Sequence, residues 1–197
     1  DMKKGRVLPG IIGYATVTPV CVFYVMYIAV QFNYFTAAFG GTLPGDYSYS
    51  SYARKGFFEL CAVAVINLCV IVGMNLFLKR KEDGTSSVAM KVYCTLLSCF
   101  TILLIVSALS KMVLYINEMG MTPLRIYTSW FMLVLVVLFV LIIVAQFTRL
   151  KFCRSAFLSF TVLFAVLCFS NVDGMIAKYN VNAYQTGKLE RVDFGVL

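Results

Sequence analysis

Between Tyr127 and Phe147 the chain runs 21 residues without a charged side chain. As a helix that stretch spans about 31 Å, the thickness of a bilayer's hydrocarbon core. Four more apolar runs accompany it, at about Ile11 to Phe39, Phe57 to Leu78, Met90 to Ile116 and Phe157 to Ser170. The last is short and draws in flanking residues such as Phe152 to complete a crossing. Composition agrees with this reading. Of 197 residues 61% are hydrophobic and 13% charged, where a soluble domain carries about a quarter charged residues. Too little polar material remains to coat a water-facing core. The expected fold is all-α: one polytopic transmembrane bundle of about five helices over 1–197. The helices are placed at about 11–39, 57–78, 90–116, 123–148 and 152–172, followed by a polar tail at 173–197.

Local chemistry marks the connections. Gly40-Gly41-Thr42-Leu43-Pro44-Gly45-Asp46 reads as a loop. Gly120 suits the end of the third helix. Thr122-Pro123 reads as an N-cap followed by proline at N1, where the missing N–H costs nothing. The third and fourth helices therefore form a tight antiparallel hairpin. Pro19 is expected to kink the first helix. The opening Asp1-Met2-Lys3-Lys4 reads as the interior of a longer protein.

Basic residues set the sidedness. The net charge of +8 suggests nucleic-acid binding at first sight, but the basic residues sit in short clusters between apolar runs and form no solvated patch. Ten of the 17 fall in alternate segments: Lys3, Lys4 and Arg6; Lys79, Arg80, Lys81 and Lys91; Arg149, Lys151 and Arg154. The positive-inside rule then puts the N-terminus in the cytoplasm and the C-terminus outside, in a multi-pass protein of the cell membrane. The expected partners are the bilayer and other membrane helices or subunits, with an external ligand of unknown identity and no nucleic acid.

With that topology, six of the nine acidic residues lie outside: Asp46, Glu59, Glu118, Asp173, Glu190 and Asp193. Ser107, Ser110, Lys111, Tyr115 and Glu118 follow spacings of three and four along one side of the third helix. Such a stripe should face protein or a water-filled cavity, because lipid cannot satisfy it. Arg125 stands across the turn, Arg54 and Glu59 open the second helix, and Asn171 and Asp173 close the fifth. Together these ten side chains are the candidate ligand-binding basin. The plainer role for charges at helix ends is to anchor the bundle at the interface, where Lys and Arg snorkel at little cost. Tyr24, Tyr27, Gln31 and Tyr34, with Tyr47, Tyr49, Tyr52, Phe57 and Phe58, read as an aromatic belt.

No cofactor or metal is expected, since the chain lacks histidine and any CxxC pair. Its seven cysteines lie within or beside apolar runs and read as packing residues. Catalysis has little support: Ser110 and Lys111 are adjacent in sequence and so point about 100° apart on a helix. The favoured function is a non-catalytic sensing, binding or regulatory membrane module. A transporter or channel subunit is the first alternative and a membrane-embedded enzyme the second.

Three motifs carry a family resemblance. Tyr52-Ala53-Arg54-Lys55-Gly56-Phe57-Phe58-Glu59-Leu60 leads into Val63-Ala64-Val65-Ile66-Asn67-Leu68. Ser107-Ala108-Leu109 leads through Met112–Tyr115 to Gly120-Met121-Thr122-Pro123-Leu124-Arg125-Ile126-Tyr127. Asn171-Val172-Asp173 precedes Ile176-Ala177-Lys178-Tyr179-Asn180. In this order they resemble a bacterial multi-pass membrane family catalogued as domain of unknown function 4173, with sibling 4153. Met121 and Lys55 depart from its usual leucine and acidic residue. The resemblance implies further helices before this region and a soluble part after it, and it implies no activity.

Overall fold

A computed structural model describes residues 10–39, 49–77, 88–148 and 150–187. They form six helices: α1 (Gly10–Phe39), α2 (Tyr49–Phe77), α3 (Val88–Met119), α4 (Pro123–Phe147), α5 (Phe152–Phe169) and α6 (Val172–Gln185). No strand occurs among the described residues. Four segments are long and apolar enough to cross a bilayer: Phe57–Phe77, Val88–Asn117, Pro123–Phe147 and Phe152–Phe169. In α1 the shorter stretch Ala15–Tyr27 has the same apolar character, with Pro19 inside the helix. The protein is a polytopic helical membrane bundle.

The core follows from spacing. On α2 the buried residues are Phe57, Leu60, Ala64, Asn67, Ile71 and Met74, at alternating intervals of three and four. On α3 Met90, Cys94, Leu97, Thr101, Leu104 and Ala108 keep the same rhythm. That periodicity aligns one stripe per helix and lets two stripes interdigitate along their length. Met132, Leu135, Phe139 and Ile142 of α4 complete the cluster. By contrast α5 buries no residue and leans on α4 through aromatic contacts. The Trp130 indole N–H donates to the Leu163 carbonyl at 3.1 Å, and its ring meets Phe160 and Phe164 edge-on at 5.9 and 6.2 Å. Apolar side chains left outward, such as Phe157 and Phe169, have hydrocarbon as their natural solvent.

Cross-helix contacts give the relative directions of the helices. Asn67 meets Thr101 and Asn75 meets Cys94, so α2 and α3 are antiparallel. Thr18 pairs with Tyr93 and Tyr24 with Phe100, so α1 runs parallel to α3. The α3–α4 hairpin turns within three residues. Gly120 takes φ +79, a left-handed conformation that glycine adopts without steric cost. Thr122 stands at the N-cap and Pro123 opens α4, but the threonine side chain makes no capping bond.

Two differences from the sequence reading stand out. The start of the expected polar tail is the helix α6, whose Ile176, Asn180 and Ala183 are buried. Intrinsic propensity gives little warning of it, since asparagines and a glycine recur through the segment. Docking onto the bundle supplies what local propensity lacks. Tyr24 also departs from the belt expected of it, because its hydroxyl turns inward to Asn67.

Candidate functional site

Two polar regions sit in this otherwise apolar bundle. The first is a clasp between α1, α2 and α3. Asn67 and Thr101 occupy seam positions where every neighbour in the rhythm is apolar, and both are essentially fully buried. The Tyr24 hydroxyl donates to Asn67 Oδ1 at 2.5 Å. Asn67 Nδ2 donates to Thr101 Oγ1 at 2.9 Å, and the Thr101 hydroxyl donates to the Leu97 carbonyl at 2.6 Å. Each donor points the same way along the chain, so both ends of the Asn67 amide are used. About two turns away, Asn75 Nδ2 donates to the Ile71 carbonyl at 2.9 Å and approaches Cys94 Sγ at 3.8 Å. The hydroxyls of Thr95, Ser98 and Ser107 are buried without a partner among the described residues.

The second region is the rim where α2 begins, α3 ends and α4 starts. Here the structure brings together part of the expected basin. Lys111 is half-buried on α3 and interacts electrostatically with Glu59 of α2, which is exposed. One turn beyond Lys111, the Tyr115 ring carries the Arg125 guanidinium 4.1 Å from its centroid, a cation–π arrangement reaching from α4 back to α3. Arg125 Nη1 also donates to the Gly120 carbonyl. Ser107 and Ser110 are half-buried on the same stripe, with the Ser110 hydroxyl returned to the Val106 carbonyl at 2.9 Å.

The remaining basin residues fall elsewhere. Asn171 caps α6, accepting from the Gly174 N–H at 3.1 Å, and Asp173 lies exposed in the first turn of that helix. There an acidic side chain complements the helix dipole. Arg54 and Glu118 lie on described helices, but their side chains are outside the described residues, as are the basic clusters at Lys3–Arg6 and Lys79–Lys81 and the side chain of Arg149.

Residues beyond the expected basin tie α6 to the rim. Asn180, 6% exposed, forms a two-point clasp on one backbone residue: its Oδ1 accepts from the Met121 N–H at 2.8 Å, and its Nδ2 donates to the Met121 carbonyl at 2.9 Å. The Tyr179 hydroxyl donates to Asn117 Oδ1 at 3.0 Å. Tyr179 and Asn180 stand side by side in the sequence between Lys178 and Val181, with nothing local to show that they face a turn about sixty residues earlier.

The second and third of the quoted motifs therefore meet in space, one forming the α3–α4 turn and the other the helix docked on it. Over residues 1–197 the chain matches the family described as Domain of unknown function (DUF4153). It belongs to that family. The motif resemblance pointed to family 4173 with 4153 as its sibling, and the match corrects that order. Comparison with curated proteins and with solved structures gives no match for this DUF4153 chain.

Proposed function

We propose that this DUF4153 chain is a non-catalytic membrane module that binds or senses a polar ligand or partner at the rim of its helix ends. The convergence of Glu59, Lys111, Tyr115 and Arg125 from three helices carries the reading. Ionisable groups at the margin of a membrane bundle that face one another across helices, and not lipid alone, are the usual material of such sites. In this proposal α1 is the fifth crossing, the N-terminus is cytoplasmic, and the rim is extracytoplasmic in the cell membrane. Alternation of the basic clusters supports that sidedness.

A transporter or channel subunit is the second reading, favoured by the Tyr24–Asn67–Thr101 clasp and the buried Thr95 and Ser98 hydroxyls, unpartnered among the described residues. Against it, all three clasp residues are uncharged and bonded in series, whereas ion-coupled carriers commonly place ionisable groups at the midplane.

The test is native mass spectrometry of the gently purified full-length protein and of its Lys111→Glu and Arg125→Glu variants. A co-purifying lipid, metabolite or protein lost from both variants is the expected outcome. Retention of every bound species in both would remove the rim from the argument. Cysteine probes at Asp46 and Gly84, in a background cleared of native cysteines, should label from opposite sides, and labelling of both from outside would reverse the sidedness.

A further inference from the structure

We infer that α6 is a strap whose seat on the bundle is set by Arg125, so that the rim's cation and the docking of α6 form one coupled element. This deepens the rim reading above and rests on it for its biological use.

The coupling runs through a single amide. The Gly120 carbonyl and the Met121 N–H belong to the same planar peptide group. Arg125 donates to its oxygen and Asn180 accepts from its nitrogen, so the two side chains hold opposite edges of one rigid plate. A cation on the carbonyl draws electron density from the amide and makes its N–H a stronger donor, as happens along hydrogen-bonded chains in low dielectric. Gly120, at φ +79, orients that plate, and a side chain there would be strained. The guanidinium is in turn positioned by the Tyr115 ring. A group that draws Arg125 off Gly120 therefore weakens the grip of Asn180 on Met121.

The strap is lightly held otherwise. Of its 14 residues only Ile176, Asn180 and Ala183 are buried, while Gly174, Lys178, Asn182 and Gln185 face outward. Elements with few buried apolar contacts are the ones that open locally below the global unfolding energy. Lifting α6 frees Asn117 from Tyr179 and the Met121 peptide from Asn180.

Hydrogen exchange on the intact protein in nanodiscs tests this without any ligand, with the α2 amides from Ala64 to Ile71 as the internal reference. Asn180→Ala should speed exchange of the Ala177–Ala183 amides about tenfold. Arg125→Gln should speed the same amides about three- to tenfold, and the double variant should exchange no faster than Asn180→Ala alone. Arg125→Lys, which keeps the cation, should stay nearer to wild type. Unchanged α6 exchange in Arg125→Gln, or effects that multiply in the double variant, overturns the coupling. Where Arg125→Gln also speeds the α2 amides, Tyr115→Leu, which removes the ring that positions the guanidinium, decides: faster α6 exchange over an unchanged α2 reference supports the strap, and wild-type α6 exchange refutes it. If the coupling holds while the rim variants retain every bound species, the strap stands and the ligand reading falls.

Discussion

The clasp at Asn67 and the rim at Lys111 and Arg125 are two polar regions of one bundle, and they differ in what their groups are left to do. In the clasp, the asparagine amide spends its donor and its acceptor on neighbouring helices, and the threonine beyond it closes the series on a backbone carbonyl. Asn67 and Thr101 are fully buried, the half-buried Tyr24 turns its hydroxyl inward, and no net charge is present. At the rim, the carboxylate of Glu59 is exposed and Lys111, Tyr115 and Arg125 are half-buried, so each retains access to something outside the fold. Hydrocarbon explains the contrast. A polar group enclosed by lipid must find its partner inside the protein, whereas one at the margin can wait for water, a headgroup or a ligand. The clasp therefore reads as a device of assembly, fixing the register of α1, α2 and α3 as a polar seam residue does in a coiled coil. The rim is where recognition is placed.

The sharpest way to break this contrast is Asn67→Leu. It leaves the Tyr24 hydroxyl without its acceptor and removes the donor to Thr101, and should destabilise the bundle by about 2 kcal/mol in a micellar unfolding titration. A neutral result would show that the clasp contributes nothing to assembly. Thr101→Val should cost about 1 kcal/mol, in the range measured for interhelical hydrogen bonds in membranes. Tyr24→Phe should cost about 0.5 kcal/mol, because it removes one donor from the edge of the series and leaves the Asn67–Thr101 bond in place. A larger loss than for Asn67→Leu would mean that Tyr24, and not the amide, organises the seam.

At the rim the expected energies are smaller and of a different kind. A double-mutant cycle on Glu59 and Lys111 should give a coupling of about 0.5 kcal/mol. It should shrink as salt is raised, since an exposed partner is screened. The clasp variants should show no such salt dependence. Coupling that persists undiminished in high salt would place Glu59 and Lys111 in the same sheltered class as Asn67 and erase the distinction. Charge reversal of Arg125 should leave the unfolding midpoint of the bundle nearly unchanged while altering what co-purifies.

Much of the architecture was legible because lipid constrains a chain so strongly. The length of the uncharged run in α4, the polar stripe on α3, and the Gly120–Pro123 turn each follow from local rules that need no partner: hydrocarbon thickness, helical period, and the backbone freedom of glycine beside the fixed φ of proline. Lys111, Tyr115 and Arg125 were legible as a group for a related reason, since helical spacing and a short hairpin bring them to one end whatever the details of packing.

What a side chain bonds to was another matter. Tyr24 carries the same sequence signature as a belt tyrosine, and only the approach of α1 to α2 turns its hydroxyl toward Asn67. Asn171 and Asp173 read as the close of the fifth helix, and the structure sets both at the N-terminal end of α6, which they cap and charge. Asn180 gains its role solely from a turn about sixty positions earlier. The hydrophobic pattern determined that this chain enters a membrane, and roughly where its long apolar helices run, because burial in lipid depends on composition and period. The pairing of its polar groups was decided by the tertiary structure, because hydrogen bonds require particular atoms at about 3 Å, and no one-dimensional pattern specifies which distant residues will meet.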